Sequence, residues 1–400
     1  MYDGKNKRRR ITVNQKKISF ATGSRADYGI VRNYLRLLNE DDNIQLSILV
    51  TGALLSPDYG HQVDLIYNDG FKVEAEIDIN INPSSNKNVI HSMAVALDKF
   101  AEYFENNRPD LLIILGDRYE MLSVATAAAM NRIPILHLHG GEATYGNYDE
   151  FIRHSITKMS LFHFTATEEF RNRVIQLGEN PDHVYYLGAL GAENCKNIDE
   201  SMVSDEIKSL SDKKYFVVLF HPETLTNISI LEQIEVILKV IGRWSEYDFI
   251  FLGSNADTNS NIIRETVKDF VNNNDNCLYF ENLSTAGYHF LLKHSMGLIG
   301  NSSSGLIEAP SLGAYTINIG DRQEGRVRGN SVIDVRCNEN EINDAINNVV
   351  NNLNPEEIIN PYYKENSAKN YYYTTLKIIK EIDNGINEHP KRFYDISVFS

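Results

Sequence analysis

The chain has 400 residues, 42% of them hydrophobic, and a formal net charge of -15. That length exceeds what one hydrophobic core usually serves, so two domains of roughly 150 to 200 residues each are expected. The acidic balance argues against a protein that holds nucleic acid through its phosphates, which needs a basic face, and no run of about 18 apolar residues offers a membrane-spanning helix.

The only dense basic run is Lys7-Arg8-Arg9-Arg10. With Gly4 and Lys5 it reads as an added or frayed leader over residues 1–16, a nuclear-targeting or nucleic-acid arm being the rival. No apolar stretch follows it as in a secretory signal, because polar residues interrupt Ile18-Ser19-Phe20-Ala21. Three cysteines, Cys195, Cys277 and Cys337, lie far apart. Their odd number fits a reducing compartment, hence the cytoplasm, and buried structural thiols rather than a disulfide framework.

Along the chain, Ile18 to Ala21 is a short apolar run that stops at Thr22-Gly23-Ser24. Helical spacing follows, with Ile30, Val31, Tyr34, Leu35 and Leu38 on one stripe. Ile44 to Val50 is a second strand, and Ser92 to Phe104 is again helical. Leu111-Leu112-Ile113-Ile114-Leu115 is wholly apolar, as a strand buried on both faces of a parallel sheet must be. Met121 to Met130 reads as a helix, Ile133 to Leu136 as a strand, and Phe151 to Ser160 as a helix. Tyr185 to Leu187 closes the first series, and Ile198 to Lys214 is charged and linker-like. A second series then runs through strands at Tyr215 to Phe220, Tyr247 to Leu252, Met296 to Ile299 and Tyr315 to Ile319. Helical spacing at Ile228 to Ile241 and Ile262 to Val271 separates its early strands.

These alternations predict an α/β protein of two Rossmann-like βα domains facing a cleft. The expected boundaries are residues 17–186 for the first domain and 187–360 for the second. A C-terminal helical segment over 361–400 is expected to pack back across them, with Tyr363 and Tyr371 to Tyr373 as packing groups. Ligands in such folds bind beyond the carboxyl ends of strands.

Four clusters occupy those ends. After the first strand, Gly23 to Gly29 offers a turn, helix-start amides and Arg25, which suits either a phosphate or plain solvent. After the apolar strand comes Gly116-Asp117-Arg118-Tyr119-Glu120, where Asp117 is either a catalytic or sugar-binding carboxylate or the cap of the next helix. His137-Leu138-His139-Gly140-Gly141-Glu142 follows, with Asp149 and Arg153-His154 beyond it. If the strand continues, His137 and His139 share a side. Their spacing matches no zinc signature, so His137 is taken as a core group, and acid–base chemistry is preferred to a metal. The fourth cluster, Asn301-Ser302-Ser303-Ser304-Gly305, precedes a helix expected from Leu306. Its hydroxyls and amides suit a diphosphate, with Glu308 placed for ribose hydroxyls; it lacks the lysine of a P-loop. Arg322, Arg326 and Arg328 then cluster in an acidic chain, which suits a multiply charged anion.

Together these segments resemble the hydrolysing UDP-N-acetylglucosamine 2-epimerase family of bacterial sialic acid synthesis. The likeness is carried by Thr22 to Gly29, Leu115 to Glu120, His139 to Glu142, Tyr148 to Lys158, Phe220 to Thr224, Gly300 to Glu308 and Asn318 to Gly329. It runs in order from about Lys17 to the C-terminus. The resemblance implies a glycosyltransferase-B architecture, a homodimer, and UDP held mainly by the second domain; no cofactor, metal, nucleic acid or membrane insertion is expected. By likeness, Ser302, Ser303, Ser304 and Gly305 meet the diphosphate and Glu308 the ribose. Arg25, His221, Arg322 and Arg326 border the phosphates, and His139 and Arg153 contact substrate. Asp117, Glu142 and Asp149 surround the sugar as the catalytic set. His139 departs from the animal enzymes, which resemble this motif but have glutamate there. The implied reaction is anti elimination of UDP to 2-acetamidoglucal, then hydration to N-acetylmannosamine. A UDP-linked 2,4-diacetamido-trideoxyhexose of legionaminic acid synthesis is the rival substrate, and a non-catalytic nucleotide-sugar-binding protein the rival class.

Overall fold

The computed structural model describes residues 15–145, 149–223, 228–253, 260–281, 283–352, 357–388 and 390–396. Most of the expected leader, and Tyr148 and Thr224 among the motif residues, lie outside them. The first sheet contains β1 (Lys16–Thr22), β2 (Ile44–Thr51), β3 (Val73–Ile77), β4 (Leu111–Leu115), β5 (Ile135–Leu138), β6 (Phe162–Thr165) and β7 (Val184–Tyr186). Its strand order is β3-β2-β1-β4-β5-β6-β7, with every pairing parallel. The second sheet contains β8 (Tyr215–Leu219), β9 (Asp248–Leu252), β10 (Cys277–Phe280), β11 (Gly297–Gly300), β12 (Tyr315–Ile319) and β13 (Val332–Val335). Its order, β10-β9-β8-β11-β12-β13, repeats the doubly wound pattern of the first. All its pairings are parallel too. The architecture is that of two Rossmann-like units in a glycosyltransferase-B arrangement.

Helices cover both faces of each sheet because each presents one apolar stripe. In the helix Arg25–Asn39, Tyr28, Val31, Tyr34, Leu35 and Leu38 are buried, and the Ser24 hydroxyl caps its start by accepting from the Asp27 amide. β4, apolar throughout, is buried at all five positions. Separate cores lie on the two faces of the first sheet and on those of the second. A smaller cluster of Ala166, Phe170, Ala189, Ala192, Leu306 and Tyr362 joins residues from both units.

Several expectations need correction. The stretch 198–214 is not a bare linker: it contains a short helix, Asp205–Lys208, and Val203, Ile207 and Leu210 are buried in the second unit's core. The terminal helix, Ser367–Asp383, returns to the first unit, where Tyr371 meets Tyr34 edge-on at 5.5 Å and the Tyr34 hydroxyl lies 2.7 Å from Thr375 Oγ1. Tyr363, ahead of the helix, packs as expected against the cluster around Tyr362 with Lys196 over its ring, whereas Tyr373 is 64% exposed. Cys195 and Cys277 are buried thiols, whereas Cys337 is half-buried. Burial still pushes the Cys337 thiol up to about 11.

Candidate functional site

Both sheets reverse strand order between their first and fourth strands in sequence, and the crevice beyond those carboxyl ends is where such folds bind ligands. In the first unit, β4 ends at Leu115 and delivers Asp117. The helix after it, Tyr119–Met130, has Arg118 at its cap position with no side-chain cap bond. Asp117 therefore does not cap that helix. It instead pairs with Arg153 Nη2. Arg153 is 1% exposed, and its Nη1 donates to Glu142 O at 2.8 Å and Thr144 Oγ1 at 3.2 Å. Its second carboxylate is Glu150, 3.4 Å away. A buried guanidinium is tolerated only when paired and hydrogen-bonded in this way.

β5 stops at Leu138, so the expectation that His137 and His139 share one side of a continuing strand does not hold. His139 turns the chain with φ +61, a left-handed backbone uncommon for a side-chain-bearing residue and frequent at functional sites. His137 is a core group, as expected. Its Nε2 donates to Gly116 O at 2.8 Å, so its Nδ1 accepts from the Thr157 hydroxyl at 3.1 Å. Burial holds the imidazole down to about 3, so it stays neutral. His139 Nδ1 lies 3.0 Å from Glu142 Oε1. Burial disfavours the charged form of Glu142, but Arg326 and His139 outweigh it and hold the carboxyl below its ordinary value. An ionised carboxylate only accepts, so in this contact Nδ1 is the donor and the other ring nitrogen, Nε2, takes no part. That Nε2 is buried and has no hydrogen-bond partner among the described residues.

Asp149 starts the helix Asp149–Met159. Burial raises its carboxyl above the ordinary value, partly offset by Arg118, Arg322 and Arg326. Arg118 in turn binds Glu120 and lies 3.9 Å from Asp27, whose carboxyl burial also pushes upward. Arg25 stands exposed on the first turn of its helix.

In the second unit, β8 and β11 end side by side, and Asn301 ties them together. Its side chain accepts from the His221 amide at 2.8 Å and donates to the His221 carbonyl at 2.9 Å. The helix here is Ser304–Ile307, shorter than expected and starting two residues earlier. The Ser302 and Ser304 hydroxyls lie 2.9 Å apart, and Ser304 Oγ also meets the Tyr288 hydroxyl. Ser303, at the cap position, makes no side-chain cap bond, and the buried Gly305 is the residue after Ser304. Glu308 is one turn on, 3.3 Å from His289 Nε2. Beyond β12, Arg322 Nη1 and Gln323 Nε2 both donate to Asn301 O, at 3.1 and 2.8 Å. Arg326 reaches across to the first unit: its Nη2 is 3.4 Å from Glu142 Oε2. Its Nε and Nη1 are buried without a hydrogen-bond partner among the described residues.

The structure thus gathers Asp117, His139, Glu142, Asp149 and Arg153 on one wall, with Arg322 and Arg326 facing them. Ser302 to Glu308 and His221 form the neighbouring strand-end floor. No three His, Cys, Asp or Glu side chains among the described residues form a group that could hold a metal ion. Sequence reasoning missed Tyr288 and His289, which touch Ser304 and Glu308 from the helix Thr285–His294. They follow no strand end, so position gave no signal. Asn301 and Gln323 were likewise not assigned, because their roles lie in backbone contacts.

The chain and its fold have counterparts among known proteins. The UDP-N-acetylglucosamine 2-epimerase family model matches residues 36–374. The chain is 48% identical over 392 residues to the polysialic acid biosynthesis protein P7 of Escherichia coli, covering 95% of this chain and 98% of that protein. It is 37% identical over 331 residues to a GDP/UDP-N,N'-diacetylbacillosamine 2-epimerase (hydrolyzing) of Campylobacter jejuni, covering 82% and 86% respectively. Among solved structures, a UDP-GlcNAc 2-epimerase from Neisseria meningitidis bound to UDP-GlcNAc shares the fold, with TM-score 0.74 and 18% identity over 90% of this chain and 100% of that one. With its strand-end carboxylates and arginines framed by this fold, the chain belongs to the UDP-N-acetylglucosamine 2-epimerase family.

Proposed function

We propose that this epimerase acts hydrolytically on UDP-N-acetylglucosamine, releasing UDP and N-acetylmannosamine. The observation that carries the reading is the Arg326–Glu142 contact across the cleft at 3.4 Å, with Arg322 beside it. It puts cations from one unit against carboxylates of the other. A proton on C2 beside an acetamido group is feebly acidic. Loosening of the C1–oxygen bond makes it removable, and the guanidiniums stabilise the charge that develops on the leaving diphosphate. The C2–H electron pair forms the C1–C2 double bond as the C1–oxygen pair departs with UDP. Water then adds at C1 while a proton returns to C2 from the opposite face.

Two facial transfers need two differently placed acid–base groups. Glu142, held ionised against His139 and Arg326, and Asp149, pushed upward by burial, differ in the required sense. We assign Asp117, Glu142 and Asp149 to catalysis and Arg153 and His139 to the sugar. Ser302, Ser303, Ser304, Gly305, His221, Arg25, Arg322 and Arg326 go to the diphosphate, and Glu308 to the ribose. The proposed units run over 17–186 and 187–360 with the returning segment 361–400, in a cytoplasmic homodimer. No helix among the described residues is long and apolar enough to cross a membrane.

Turnover in deuterium oxide is expected to yield free N-acetylmannosamine with deuterium at C2; unlabelled N-acetylglucosamine would reject the assignment. A second reading, a UDP-linked diacetamido sugar as substrate, is favoured by the Campylobacter jejuni relative and by a UDP-N,N'-diacetylbacillosamine 2-epimerase (hydrolyzing) of Legionella pneumophila, 33% identical over 367 residues. Comparing kcat/KM for the two nucleotide sugars decides between them.

A further inference from the structure

The segment 390–396 adopts no regular structure, yet it is held firmly against the first unit. Lys391 Nζ lies 2.6 Å from Ser160 O, 2.8 Å from Lys158 O and 3.4 Å from Thr157 O. It also pairs with Glu179 Oε2 at 2.6 Å. Glu179, 1% exposed, is shared with Lys158 at 2.7 Å and His163 at 3.0 Å. Two residues on, the Phe393 ring lies 4.9 Å beneath Lys158 Nζ, and the Tyr394 amide donates to Gly178 O at 2.9 Å. Gly178 has φ +84, and a Cβ there would fall 2.3 Å from the Phe393 ring, so glycine serves both the turn and the approach of the strap.

Of the carbonyls that Lys391 meets, those of Thr157 and Lys158 belong to the last turn of the helix Asp149–Met159, and that of Ser160 lies one residue beyond it. The last carbonyls of a helix lack intrahelical partners and carry the negative end of its dipole, so an ammonium there satisfies both. This is the helix whose first turns present Asp149 and Arg153. Its Thr157 also supports His137, which bonds Gly116 O next to Asp117. One helix therefore underlies three residues of the site wall.

We infer that Lys391 is a positioning residue of the active site: the C-terminal strap clamps the far end of the Asp149–Met159 helix and fixes where Asp149 and Arg153 meet the sugar. The roles of Asp149 and Arg153 rest on the proposed function; the clamp itself does not. A loosened helix shifts reacting groups without removing a substrate contact, and misplacement of about 1 Å can cost about 100-fold in rate. The effect belongs to kcat rather than KM.

The test uses full-length Lys391→Met, which keeps most of the stem and removes the charge, and Phe393→Ala, which frees the strap without touching the carbonyls. Amide hydrogen exchange over residues 156–160 is expected to speed up about tenfold or more in Lys391→Met, and less in Phe393→Ala. The helix Ile230–Ile241 of the second unit serves as the unaffected control. At a temperature well below melting, kcat is expected to fall about tenfold with KM within about twofold. Aminoethylation of Lys391→Cys, which rebuilds an ammonium of the same reach, should restore kcat. Wild-type exchange rates, faster exchange with unchanged kcat, or a loss of kcat that follows global melting would each overturn the inference. If the wild-type enzyme turns over neither nucleotide sugar, the functional reading fails while the exchange measurement still judges the clamp.

Discussion

At the residue scale, the site is a problem of holding like and unlike charges in a small buried volume. Arg326 is the residue on which most turns. It lies against Glu142 and also lowers the cost of ionising Asp149. Replacing it by methionine removes the cation while keeping a long apolar stem. Glu142 then loses its principal opposing charge and its carboxyl moves up, while Asp149, already raised by burial, moves further up. If turnover needs an ionised carboxylate, the acid limb of the kcat/KM–pH profile shifts to higher pH in Arg326→Met. The diphosphate also loses a stabilising charge, for which a drop of about 100- to 1000-fold in kcat is expected by analogy with a lost oxyanion donor. An unshifted acid limb would place Arg326 away from the reacting groups. A separate sign applies to Glu179 in the strap. Although burial opposes its charge, His163, Lys391 and Lys158 hold it down to about 2, from an ordinary 4.5. Its stabilising effect is present above about 4.5 and lost as pH falls toward about 2. Melting temperature should therefore fall across that window, and the fall should be shallower in Glu179→Gln.

At the scale of elements, the loop between β12 and β13 carries the arginines and must dock on the first unit. Gly325 makes this possible: its φ is +86, and a Cβ would lie 2.7 Å from the Tyr145 ring and 2.9 Å from Ala143 Cβ. Gly325→Ala combines a strained backbone, about 1–2 kcal/mol, with a clash that lifts the loop. We expect kcat/KM to drop at least about tenfold while the isolated variant stays folded; wild-type turnover would show that the loop need not close on Tyr145. This docking could not be read from the sequence, since it pairs residues from separate units through shape. What was legible was whatever periodicity or strand-end position records. The limits of β4, five apolar residues in a row, are readable directly, and Asp117, Ser304 and Arg322 stand out as candidates because they follow strands. The strands missed were β3, β6, β10 and β13. β3, Val-Glu-Ala-Glu-Ile, alternates over only five residues, and β6 contains a histidine whose burial depends on Glu179 far along the chain. Tyr288 and His289 went unassigned for the related reason that a helix side, unlike a strand end, marks no cleft.

At the scale of the molecule, two sheets with separate cores must act as one cleft. Besides the arginine loop, the cluster around Tyr362 does this: the ring is fully buried, 6.0 Å from Phe170 of the first unit. Its hydroxyl donates to Val327 O at 3.1 Å, on the arginine loop itself. Tyr362 thus links the packing between units to the position of Arg326, and Ala189 N donating to Tyr362 O at 2.8 Å fixes the crossover chain to the same point. Truncation to alanine should cost about 3–5 kcal/mol by the usual cost of emptying a large aromatic site. Most of that loss falls on the coupling between units, because neither sheet's main core contains Tyr362. Calorimetry of the parent chain is expected to show one dominant transition. In Tyr362→Ala it should separate into two, with UDP raising only the transition of the second unit, since a ligand stabilises only the cooperative unit that binds it. A single transition that still moves as a whole with UDP would mean that the loop contacts alone couple the units, and that Tyr362 merely fills space between them.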